Sequence, residues 1–134
     1  MTAAHTGLRA GEIASAPVIT VESDVDALAA LRTMQRNQIR HLPVFTAGQC
    51  VGLVTEAGLL TGLVGSNRGP LPTAGDLAQR LPPSVEAGAS RVTAARLMRE
   101  SAGDVLLVKA NSQLVGVLTA VDLVVSLAHD LTEE

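Results

Sequence analysis

The sequence predicts an α/β (α+β) fold in which two copies of one β-α-β-β-α unit pack sheet to sheet with pseudo-twofold symmetry. Three observations predict it. A shift of 64 residues aligns 10–64 with 74–128 without a gap, and 16 of the 55 positions are then identical. Within each copy the apolar spacing changes between strand and helix periods three times. A stretch rich in Gly, Pro and Asn, 65–73, separates the copies and reads as a linker. A unit of about 55 residues is marginal as an isolated core, so two are expected to pack together.

The elements follow in order. Residues 1–9 form a tail. In the first repeat, 10–64, Val18-Ile19-Thr20-Val21 reads as a short strand. Ser23-Asp24-Val25-Asp26 then supplies a helix cap, and Val25, Leu28, Leu31 and Met34 share one helical face to about Asn37. His41 to Phe45 and Cys50 to Val54 are β-rich runs around a hairpin-length turn, Thr46-Ala47-Gly48-Gln49. A helix from about Thr55 to Val64 closes the copy. The second repeat, 74–131, predicts a strand near 83–85, a helix over 88–101, strands at 104–109 and 114–118, and a helix from 119 to about 131. Residues 132–134 are a second tail.

Composition narrows the function. Ten Lys and Arg against 13 Asp and Glu give a net charge of −3, and Phe45 is the single aromatic, so almost nothing is available on which nucleic-acid bases could stack. Three separated histidines and one cysteine make no zinc-type cluster, and no metal site is expected. No apolar run approaches the ~18 residues of a membrane span, and 1–9 lacks the apolar centre of a signal peptide. The expectation is a cytoplasmic protein that engages neither membrane nor nucleic acid. No nucleophile–base–orienter set or paired carboxylates stand at suitable spacings, so no enzyme is expected.

Several segments carry a resemblance: Pro17-Val18-Ile19-Thr20-Val21, Ile39-Arg40-His41-Leu42-Pro43-Val44 and Val51-Gly52-Leu53-Val54-Thr55 in the first copy, then Asp104-Val105-Leu106-Leu107-Val108 and Val115-Gly116-Val117-Leu118-Thr119-Ala120-Val121-Asp122-Leu123 in the second. In order, spacing and duplication the chain resembles a tandem pair of CBS domains, the Bateman module, over about 10–131. The resemblance implies a regulatory module that binds an adenosine-containing effector (AMP, ADP, ATP or S-adenosylmethionine) between the repeats, requires no cofactor, and signals to a regulated protein. It also implies that Thr119 faces phosphate and Asp122 accepts ribose hydroxyls. Thr55 matches Thr119, whereas Gly58 stands where the first copy would need the carboxylate, and Glu56 is two positions away on another helix face. Arg40 and His41 fall where basic side chains of the family reach phosphate; the second copy has Asp104 and Val105 there. A composite site and the decay of both sites are alternative readings of that division.

Plainer readings stand beside these. Thr119-x-x-Asp122 is also a capping box, and Arg40 and His41 are ordinary residues at a strand start. Cys50, equivalent to Leu114, reads as a small buried hydrophobe, and Phe45 as core or interface. His5 and His129 have no site-forming neighbours, and the acids Glu22, Asp24 and Asp26 suit a helix start. The competing function is a structural dimerisation or adaptor module with degenerate nucleotide sites. A homodimer is expected in either case, through amphipathic helices whose Ala27, Ala30, Ala94 and Ala95 permit close approach. The site holding Thr119 and Asp122 is expected to fill first.

Overall fold

A computed structural model describes residues 7–66 and 69–132. The order is α1 (Ala10–Ile13), β1 (Val21–Glu22), α2 (Ala27–Asn37), β2 (His41–Thr46), β3 (Gln49–Thr55) and α3 (Glu56–Ser66). It then repeats as α4 (Ala74–Leu77), β4 (Ser84–Glu86), α5 (Arg91–Ser101), β5 (Val105–Ala110), β6 (Gln113–Thr119) and α6 (Ala120–Thr132). His5, Asn67, Arg68 and the last two residues, on which parts of the expected tails and linker fall, lie outside the described residues. The strands, main helices and hairpins stand where the sequence places them, with their ends shifted. The first strand is Val21–Glu22 instead of 18–21, and α5 starts at Arg91 instead of 88 because Ser90 caps it by accepting from Thr93 N–H.

The chain divides into two compact units, and neither is one sequence copy. One is Ile19–Leu81. The other joins the segment ending at Val18 to the segment beginning at Pro82. Each therefore takes its four-residue helix, α1 or α4, from the other copy, an exchange that the hydrophobic pattern does not reveal.

In the unit Ile19–Leu81, β1 runs parallel to β2 (Val21 opposite Val44), and β2 pairs antiparallel with β3, with a bulge at Val44/Phe45. Asp26 caps α2 by accepting from Ala29 N–H at 2.8 Å. The helix stops at Gln38, whose left-handed backbone donates to Gln35 and Met34 carbonyls. Ala27, Ala30, Leu31, Met34, Leu42, Val44, Val54 and Leu59 form the core together with Ala74 of α4. The arm after α4 covers the outer edge of the sheet, where Gln79 and Leu53 exchange backbone hydrogen bonds of 2.8 and 3.0 Å. The approach is close enough that a Cβ on Gly52 would lie 2.7 Å from the Gln79 carbonyl.

The other unit repeats this in register. β4, β5 and β6 form the second sheet with a bulge at Val108/Lys109, and Val85, Ala94, Met98, Leu106, Val108, Leu118 and Leu123 pack around Ala10 of α1. Here Ser15 and Val117 make the edge bridge, and Gly116 allows the approach. Half of the identical positions in the two copies are buried in both, from Ala10/Ala74 to Leu59/Leu123, so the internal repeat is largely a repeated core.

Two expectations are corrected. Ala27, Ala30 and Ala94 are fully buried in the cores of their own units and present no face to another chain; only Ala95 is exposed. Small helical residues serve inward packing as readily as outward contact, and periodicity alone does not separate the two. Cys50 is half-buried, not buried, with Sγ 3.7 Å from the Gly52 carbonyl.

Candidate functional site

The residues singled out in the sequence gather at two equivalent corners, one in each unit, where the last strand turns into the last helix. Arg40, His41 and Thr55 meet at the first: His41 pairs with Thr55 across β2 and β3, and the Arg40 carbonyl accepts from Glu56 N–H at 3.0 Å. Asp104, Val105, Thr119 and Asp122 meet at the second: Val105 pairs with Thr119, and the Asp104 carbonyl accepts from Ala120 N–H at 2.9 Å. The same backbone thus carries different chemistry.

At the second corner the capping box is formed. Thr119 N–H donates to Asp122 Oδ2 at 2.9 Å, and Asp122 N–H donates to Thr119 Oγ1 at 3.2 Å. The chain holds an internal control for this geometry. Thr73 and Asp76 close a box at the start of α4 with distances of 3.0 and 3.1 Å. A carboxylate with one such bond keeps further lone pairs, so capping and acceptance of ribose hydroxyls are chemically compatible. Asp104 is exposed and Val105 buried, which leaves Val105 only its main chain to offer.

At the first corner Thr55 Oγ1 accepts from Gly58 N–H at 3.0 Å, half of the same box. No carboxylate answers from position 58. The exposed Arg40 guanidinium instead has a carboxylate beside it, with Nε 3.8 Å from Glu56 Oε1. Glu56, a misplaced substitute for Asp122 by sequence, is therefore the neighbour of Arg40, a pairing that the sequence reading missed. An ion pair this exposed is weak and holds the arginine at small cost to its freedom. His41 is half-buried beside it.

Among the described residues no group of three or more His, Cys, Asp or Glu could hold a metal ion, and no helix is long and apolar enough to cross a membrane.

Comparison with known proteins agrees with this architecture. The CBS domain pair of MJ0100, solved in complex with 5′-methylthioadenosine and S-adenosyl-L-methionine, matches at a TM-score of 0.76 and 20% identity over 90% of this chain and 96% of its own. CBSX2 in complex with AMP matches at 0.73 and 23% over 92% and 98%. The CBS domain of a CBS domain-containing membrane protein from Sphaerobacter thermophilus matches at 0.76 and 23% over 92% and 90%. At these identities the likeness is one of fold. No curated protein sequence matches the chain. The CBS domain model, however, matches residues 10–65 and again 74–129. The chain belongs to the CBS domain family, as a tandem pair.

Proposed function

We propose that the protein is a regulatory module that senses an adenosine-containing ligand (AMP, ADP, ATP or S-adenosylmethionine) and passes the signal to a partner protein through altered packing, without catalysing a reaction. The observation that carries this reading is the corner at Thr119 and Asp122. A hydroxyl just before a helix of 13 residues and a carboxylate on its first turn stand there, where the backbone dipoles favour a phosphate and the carboxylate suits a ribose diol. At the equivalent corner of the other unit, Arg40, His41 and Thr55 offer a basic group and a hydroxyl. Asp104 and the Val105 main chain flank Thr119. The adenosine ligands of MJ0100 and CBSX2 support the ligand class.

Titration calorimetry of Asp122→Asn tests it. Affinity for the adenosine ligand is expected to fall about tenfold or more, since a hydrogen bond to a charged group is worth ~1.5–3 kcal/mol. Asp76→Asn, in the matching box of α4, is expected to leave affinity unchanged. Binding within twofold of the parent in both variants would reduce Thr119–Asp122 to a cap.

A second reading, a dimerisation or adaptor module, is favoured by one observation. Val121, Val124, Val125 and Leu131 on α6 are each more than 60% exposed, on the side away from the buried Leu123 and Ser126. This apolar face, not the alanines, is where a second copy of the chain would pack, and charge-free helical faces of this kind mark interaction surfaces. Sedimentation at micromolar concentration is expected to give a dimer that Val124→Asp dissociates; a monomeric parent would overturn the dimer.

A further inference from the structure

The two corners differ on the first turn of the helix: Asp122 in one, Gly58 in the other. A Cβ placed on Gly58 would lie 3.1 Å from Thr55 Oγ1 and 3.7 Å from Gln79 Nε2. The Gln79 carboxamide therefore borders the space that a side chain at 58 would enter. Its backbone is fixed there, because Gln79 exchanges two hydrogen bonds with Leu53, two residues before Thr55. The equivalent of Gln79 under the 64-residue shift is Ser15, which is bridged to Val117 in the same way but ends in a single hydroxyl. One unit thus pairs a carboxylate on the helix with a short side chain on the arm. The other pairs no side chain on the helix with a long carboxamide on the arm.

We infer that Gln79 is a ligand-contacting residue of the Arg40–Thr55 corner, its carboxamide taking the hydroxyl-accepting part that Asp122 takes at the other corner. The inference rests on the adenosine-binding function proposed above. Oε1 accepts a proton from a ribose hydroxyl, and Nε2 donates to a neighbouring oxygen. A neutral acceptor holds a diol less tightly than a carboxylate does. It also adds no negative charge beside a phosphate drawn to Arg40. The corner accordingly suits a phosphorylated ribose and fills after the Asp122 corner.

The test is calorimetry on the whole chain with AMP and with 2′,3′-dideoxyadenosine 5′-phosphate, which lacks the diol. Gln79→Met keeps the bulk and the backbone bridge while removing the carboxamide. The weaker AMP site is expected to lose about fivefold in affinity, as for one neutral hydrogen bond, while the dideoxy ligand changes less than twofold. Gln79→Glu is expected to strengthen adenosine at that site severalfold. If Gln79→Met leaves every AMP affinity within twofold while Asp122→Asn costs tenfold, the inference fails and the proposed function stands. Equal losses for both ligands would make Gln79 a structural residue and also overturn the inference. A parent chain that binds none of AMP, ATP and S-adenosylmethionine overturns both.

Discussion

The helix pairs α2–α3 and α5–α6 occupy equivalent registers but close their interfaces with different chemistry. In the first, Ala27 and Ala30 are fully buried. Gly62 leaves a notch filled by Leu77 of α4, whose Cδ1 would lie 2.5 Å from a Cβ at 62. In the second, the residue equivalent to Ala27 is Arg91. It reaches from the start of α5 to α6, donating to Ser126 Oγ at 3.3 Å and pairing with Asp130. Ser126 and Asp130 stand where the first pair has Gly62 and Ser66. One backbone plan therefore tolerates either small residues in close contact or a polar clasp, provided that all members of the set change together.

The largest effect is expected from moving one member alone. Ala27→Arg places a charge in a fully buried position with neither the serine nor the aspartate of the other unit to receive it. Urea denaturation should show a loss of about 3–5 kcal/mol, the cost of a buried charge without its partner. A loss below 1 kcal/mol would mean that the two interfaces are interchangeable. The reverse experiment is milder. Arg91→Met removes the clasp but keeps the apolar stem, and because Asp130 remains 39% exposed and can be hydrated, about 1–2 kcal/mol should be lost. The smallest effect tests what the units share. Both α2 and α5 end on a residue with positive φ, Gln38 at 56° and Ala102 at 55°. Ala102→Gly should raise stability by about 0.5–1 kcal/mol, because glycine adopts this backbone without strain. A fall in melting temperature would contradict this.

Much of the fold was legible because its signals are local. Met34, Leu42, Val44 and Leu59 and their equivalents repeat at strand and helix spacings, and Thr119-x-x-Asp122 announces its capping box within four residues. What escaped was non-local. Ala10 and Gly11 donate to the carbonyls of Ala89 and Ala87, almost eighty residues away, and Ala74 and Gly75 make the equivalent bonds to Val25 and Ser23. No periodic pattern encodes which copy receives which helix. Gln79 was equally silent, since it lies in an irregular segment and gains meaning only from its closeness to Gly58. The charge at Arg40 was legible, but its pairing with Glu56 required the turn from β3 into α3 to be seen.

The exchange of α1 and α4 also orders the birth of the protein. During synthesis Ile19–Leu81 emerges as one continuous stretch that already contains both its sheet and its arm, so it can fold while the rest is still being made. Ser15 waits far longer for its place, because Val117, which bridges it, leaves the ribosome about a hundred residues later.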